Sequence, residues 1–155
     1  TVLRTQVDVV LPEGVAVLNA DDLLAAQMAP LCDGDVIFYA RDGQREVIET
    51  HLAAGRRAVF QRSHRVLMVQ GAKETTLIEW RCLPVLEGHA PEAVLGAVMA
   101  ASAAAWGLGM EIDLIRAGIK TFATQSAPPA PAPLPVLAHA TTPVEMPAVT
   151  LAPAA

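Results

Sequence analysis

The chain has little charge, few aromatic rings and almost no cysteine. Only 17% of its 155 residues are Asp, Glu, Lys or Arg, with 16 acids against 11 bases for a formal net charge of −5. Nucleic acid and anionic membrane surfaces both reward a basic face, so neither is an expected partner. An acidic cytoplasmic protein fits the balance. The 2 cysteines, Cys32 and Cys82, stand far apart without C-x-x-C spacing, which excludes a disulfide framework and a thiolate zinc site; both are expected to be buried thiols. No apolar run reaches the ~20 residues of a membrane helix. The longest, Ala93 to Leu108, is interrupted by Ser102 and reads as a core helix. An initiating Met and a basic-then-apolar leader are also missing, so the chain reads as a cut from a longer polypeptide.

What is present suffices for one core, since 53% of the residues are hydrophobic. Val2 to Leu11 has mixed helical spacing and ends in the turn Pro12-Glu13-Gly14. Val15-Ala16-Val17-Leu18 and Val36-Ile37-Phe38-Tyr39 are short apolar runs bounded by turn residues, the pattern of parallel strands buried on both faces. Between them Asp21 or Asp22 can cap a helix through Leu23, Leu24, Ala26 and Met28, with Pro30 expected to stop it. Glu46 to Ala54 reads as a helix closed by Gly55. Ala58 to Gln61, Val66 to Gln70 and Thr75 to Trp80 read as an antiparallel meander, with Arg62 to Arg65 and Gly71 to Glu74 as its turns. An Ala-rich helix from Pro91 stops at Gly107-Leu108-Gly109, and a last helix with Ile112, Ile115 and Ile119 on one stripe ends near Phe122. The expected class is α/β: parallel strands with helices, a small antiparallel meander, then Ala-rich helices. Residues 1–125 form the domain, and the Pro/Ala-rich residues 126–155 read as a flexible tail.

The chemistry concentrates at Asn19, Asp21 and Asp22, which a buried strand delivers at its carboxyl end, where ligands bind in α/β folds. An asparagine offers the donor and acceptor needed to read an adenine edge, and carboxylates suit ribose hydroxyls. Helix capping explains the aspartates equally well. Arg56, Arg57, Arg62 and Arg65 form a local basic cluster that could meet a phosphate or a polycarboxylate, or line a solvated strand edge. His51, His64, His89 and His139 have no metal-ligand spacing and read as surface or turn residues, so no metal site is expected.

Gly14-Val15-Ala16-Val17-Leu18-Asn19-Ala20-Asp21-Asp22 resembles the G-x-x-V-L-N-A-D-D segment of Mur ligases. Three later stretches resemble cyanophycin synthetase in the same order: Ala53 to Val59, Gly88 to Pro91, and Leu114 to Phe122. The resemblance covers roughly residues 1–122 and implies the later part of a Mur-ligase-like central domain, which binds ATP. That family activates a carboxylate as an acyl phosphate and forms an amide with an amine, here arginine added to an aspartate-based polymer. It implies that Asn19 contacts adenine, that Asp21 and Asp22 belong to the same nucleotide motif, and that the parent is a homo-oligomer requiring ATP and magnesium.

The departures are as specific. Phosphoryl chemistry needs a phosphate-cradling loop, and no G-x-x-x-x-G-K-[ST] occurs in the chain. The resemblance places that loop, the magnesium ligands and a functional lysine upstream of Thr1, in the remainder of the parent ligase. Catalytic residues are therefore expected to be absent. The Glu-Asn or His-Asn pair that frames the nucleotide in the family aligns with Leu95 and Gly96, and a Pro/Ala stretch follows Phe122 in place of a further domain. A catalytically degenerate module with a structural or interaction role is the competing expectation.

Overall fold

A computed structural model describes residues 2–83 and 90–125. Gly88, His89, His139 and the whole 126–155 segment lie outside the described residues. The fold is α/β, built on one mixed five-stranded sheet in the order β1-β2-β3-β4-β5. The chain runs α1 (Val2–Asp8), β1 (Val15–Asn19), α2 (Leu23–Ala26), β2 (Asp35–Ala40), α3 (Glu46–Ala53), β3 (Arg57–Arg62), β4 (Arg65–Gln70), β5 (Lys73–Glu79), α4 (Pro91–Gly107) and α5 (Ile112–Gln125). β1, β2 and β3 are parallel, with Val17 opposite Ile37 and Tyr39 opposite Val59; β3, β4 and β5 are antiparallel.

The apolar runs become strands because successive side chains enter opposite cores. Ala16, Leu18, Val36, Phe38, Ala58, Phe60, Leu67 and Val69 pack with Val7 of α1 and Ile48 of α3. On the other face Ile37, Val59, Val66 and Met68 pack with Leu95, Met99 and Ala103 of α4 and Ile115 of α5. A bulge opposite Val66 and Leu67 breaks the alternation of β5, and Leu77 and Ile78 both join this second core.

Glycine decides where two helices stop. After α3 the Gly55 N–H donates to Leu52 O (2.8 Å) and the Arg56 N–H to His51 O (3.2 Å), with Gly55 at φ +78°. The same 5→2 and 6→1 pair closes α4 through Gly109 at φ +79°, whose N–H reaches Trp106 O while the Met110 N–H reaches Ala105 O. The β3–β4 turn uses Ser63 (φ +49°) and His64 (φ +61°), the double left-handed geometry that matches strand twist in two-residue hairpins.

Several boundaries differ from the sequence reading. Pro30 does not end α2; that helix spans only Leu23–Ala26, and Pro30 sits inside a separate 3₁₀ turn, Ala29–Leu31, whose early positions tolerate a missing N–H. β5 begins at Lys73, not Thr75, because Gly71 at φ +55° completes the reversal almost alone and lets Lys73 pair with Gln70. α5 runs on to Gln125. Among the described residues no helix is long and apolar enough to cross a membrane.

Candidate functional site

The carboxyl ends of β1 and β2 bring together the three residues singled out in the sequence and give each a distinct task. Asn19 ends β1, half-buried, and its Oδ1 accepts the Asp21 N–H at 2.9 Å, a side-chain turn that bends the chain off the strand. Its Nδ2 donates to no atom among the described residues. Asp22 is the cap of α2: its Oδ1 accepts the N–H groups of Leu24 (2.9 Å) and Ala25 (3.3 Å). Asp21 reaches the next loop instead. Its Oδ2 accepts the Arg41 N–H at 2.9 Å and Nε at 3.4 Å, and its Oδ1 pairs with Arg45 Nε at 2.9 Å. Asp21 is only 14% exposed on its side chain, so this carboxylate fastens the β1–α2 turn to the β2–α3 loop.

Tyr39, directly opposite Asn19 on β2, was missed by the sequence reading, which treated it only as a strand-former. Burial, and then the negative charges of Asp21 and Asp22, hold its phenol above the ordinary value of 10.0, so it stays a neutral donor. α4 packs across β1, β2 and β3, with its carboxyl end fixed at the amino edge of the sheet, where a Cβ on Gly107 would lie 3.2 Å from Val15 and where Arg57 Nη1 donates to Trp106 O at 3.2 Å. Leu95, one turn into α4, is buried in the core and unavailable to a polar ligand; beside it a Cβ on Gly96 would meet nothing within 4 Å.

Known proteins match most of this chain. The chain is 31% identical over 119 residues to cyanophycin synthetase of Synechocystis sp. (strain ATCC 27184 / PCC 6803 / Kazusa), covering 77% of this chain and 14% of that protein. The cyanophycin synthetases of Crocosphaera subtropica (32% over 116 residues, 74% and 13%) and Geminocystis herdmanii (32% over 111 residues, 71% and 13%) align comparably. The chain shares partial homology with cyanophycin synthetases. It spans no more than 14% of the length of these relatives. No family model matches it.

The arginine cluster does not form a single surface, because β3 separates its two halves. At the amino end Arg57 pairs with Asp35 (2.7 Å through Nη2, 3.2 Å through Nε) and lies 5.3 Å from the centre of the Trp106 ring. At the other end Arg62 pairs with Glu74 and lies over Phe60. Burial opposes ionisation of Asp35, but the Arg57 hydrogen bond, the Val36 N–H and the charges of Arg57 and Arg56 outweigh it, holding the carboxyl below its ordinary 3.8.

His51 is not a surface histidine. It is half-buried on α3, its Nε2–H donates to Val36 O at 2.9 Å, and it meets the Phe38 ring edge-on at 4.7 Å. Burial holds its pKa below 6.5. His64, by contrast, occupies a turn as expected. Both depressed groups bind more protons when the chain is unfolded, so stability rises with pH across their windows. The His51 contribution is complete above 6.5 and is lost as the pH falls through its folded value. The Asp35 contribution is complete above 3.8 and is lost at still lower pH. Urea unfolding over a pH series is expected to show two losses on acidification, with His51→Gln removing the first and Asp35→Asn the second.

Cys32 is half-buried, with its thiol 3.7 Å from Asp35 O, but Cys82 is exposed, contrary to the expectation of two buried thiols. It follows β5 in a 3₁₀ turn, Trp80–Cys82, that leaves the sheet, so no core reaches it. Among the described residues no cluster of His, Cys, Asp or Glu could hold a metal ion.

Proposed function

We propose that this chain is the later part of the central, ATP-binding domain of an amide-forming ligase of the cyanophycin-synthetase type, and that it supplies the adenine side of the nucleotide site. The observation that carries the reading is the half-free Asn19 amide at the carboxyl end of a buried parallel strand. Among the described residues its Nδ2 is an unused donor, and Oδ1, which accepts only the Asp21 N–H there, keeps a second lone pair. A donor and an acceptor side by side are what an adenine edge requires. Asp21 and Asp22 act as positioning residues: one fastens the turn to Arg41 and Arg45, the other caps α2.

Bound ATP would supply the phosphoryl group that activates a carboxylate; this chain's own residues bind and orient the base. In this reading the phosphate-cradling loop and magnesium ligands belong to ligase sequence outside residues 1–155. The substrate is an aspartate-based polymer that receives arginine, and the whole enzyme assembles as a homo-oligomer. The chain alone has no turnover. Calorimetry with ATP is expected to give weak binding that Asn19→Ala reduces by about tenfold, the worth of one to two net hydrogen bonds. Unchanged affinity in a folded Asn19→Ala chain would sink the adenine role.

One observation favours a second reading, a catalytically degenerate module with a structural or interaction role. The positions aligned with the family's nucleotide-framing pair hold a core leucine, Leu95, and a residue without a side chain, Gly96. Absence of heat at millimolar ATP would select it.

A further inference from the structure

α5 carries two apolar lines. Ile112, Ile115 and Ile119 pack into the second core, and Arg116 fixes that orientation by donating Nε to Leu77 O and Nη2 to Thr76 O, both at 2.9 Å. Leu114, Gly118 and Phe122, spaced four apart, form a second line that the sheet does not cover. Leu114 is 57% exposed and Phe122 51%. Single exposed apolar side chains are ordinary on a protein surface, but these share one groove.

The groove lies between α4 and α5 and measures about 420 Å³. Its floor is made of small residues: Ala97 and Ala101 of α4 are exposed, and a Cβ on Gly118 would meet nothing within 4 Å. The one hydroxyl in its lining, on Ser102, already donates to Val98 O at 2.7 Å, so an occupant is offered apolar contact. Along α4 the groove runs from Val94 to Ala105, about 17 Å at 1.5 Å per residue. Residues 108–111 join the two helices at the Ala105 end, which leaves Phe122 to mark the far end.

The sequence after Gln125 matches this shape. Residues 126–155 contain a single charge, Glu145, and the stretch Pro131-Ala132-Pro133-Leu134-Pro135-Val136-Leu137 has none. Alternate prolines favour the polyproline II helix, with three residues per turn and a rise of about 3.1 Å per residue. In that form Pro131, Leu134 and Leu137 fall on one face over about 19 Å, close to the length of the groove. Residues 126–130 reach at most about 17 Å, enough to reverse the chain and set Pro131 beside Phe122, one turn before the end of α5.

We propose that residues 131–137 dock into the α4–α5 groove of their own chain as a polyproline II segment, with Pro131 on the Phe122 ring and Leu134 and Leu137 over the small-residue floor toward Met110. Proline-rich segments suit apolar, aromatic-lined grooves because their extended form is preset and little entropy is lost on docking. The tether decides for this occupant over a second copy, since a short linker holds the segment at millimolar effective concentration, far above that of a dilute partner. The other apolar stretch, Val144 to Leu151, carries Glu145 and lacks the alternate prolines. The inference is independent of the nucleotide reading, whose site lies at the carboxyl end of β1.

Nuclear Overhauser spectra of the full chain in dilute solution are expected to connect the Leu134 and Leu137 methyls with Ala97, Ala101 and Met110, and Pro131 with the Phe122 ring. The double change Leu134→Asp, Leu137→Asp leaves α4 and α5 untouched. It should lower docking about tenfold or more, return the amides of residues 131–137 to fast motion, and shift those of Ala97, Ala101, Gly118 and Phe122. Ala101→Glu should do the same from the groove side; if that variant does not fold, the double change decides alone. Absence of these contacts, contacts that survive the double change, or docking by Val144 to Leu151 instead overturns the proposal. So do contacts found only between differently labelled copies in a mixture, which would assign the groove to a second chain.

Discussion

Replacing Gly34 with alanine is expected to lower stability by about 3 kcal/mol, the upper part of the usual range for overpacking. A Cβ there would lie 2.3 Å from Gly14 O and 2.6 Å from Leu11 O. Both obstacles are backbone, so no side chain can swing aside. Gly14 O also accepts the Asp35 N–H, the bond that starts the β1–β2 ladder, and relief of the clash would have to part the two strands where they begin. Gly96→Ala is the matched control. Its new Cβ meets nothing within 4 Å, and alanine exceeds glycine in helix propensity by about 1 kcal/mol, so that change should stabilise. Urea unfolding of both variants checks the pair; a Gly34→Ala loss below about 1 kcal/mol would contradict the close crossing.

Met99→Ala is expected to cost about 2–5 kcal/mol, the range for truncating a large aliphatic core side chain. α4 is rich in alanine, so it has few large side chains with which to grip the sheet. Met99 is fully buried and Leu95 nearly so, both against Ile37, Val59, Val66 and Met68. Losing Met99 leaves a void that small neighbours such as Ala103 cannot fill. The same helix covers β1, β2 and β3, so looser packing here should also loosen the strand that carries Asn19 and weaken nucleotide binding. A folded variant with unchanged unfolding midpoint would show that α4 is held by other contacts.

Much of this fold is legible because strands buried on both faces must be short apolar runs. Val15 to Leu18 and Val36 to Tyr39 announce themselves that way, and each extends by a residue or two in the structure. Pro30 was misread because proline forbids continuation of a helix but not the start of a new turn. The site was half legible. Asn19 follows from its place at the end of a strand, yet the separate tasks of Asp21 and Asp22 depend on Arg41 and Arg45, some twenty residues on, which no local pattern connects to them. Tyr39 enters only through the β1–β2 register. The arginine cluster failed for the converse reason. Arg57 and Arg62 are neighbours in sequence, but an extended strand carries them to opposite ends of the sheet.

The central claim is that the carboxyl end of β1 faces the adenine of ATP. Amide chemical shifts of the full chain, followed during titration with ATP, test it most directly. The account predicts changes concentrated at Asn19 to Asp22, Tyr39 to Arg45 and the Asn19 side-chain amide, saturating at millimolar nucleotide and absent in Asn19→Ala. Changes confined to the opposite edge of the sheet, or none at all, would contradict it.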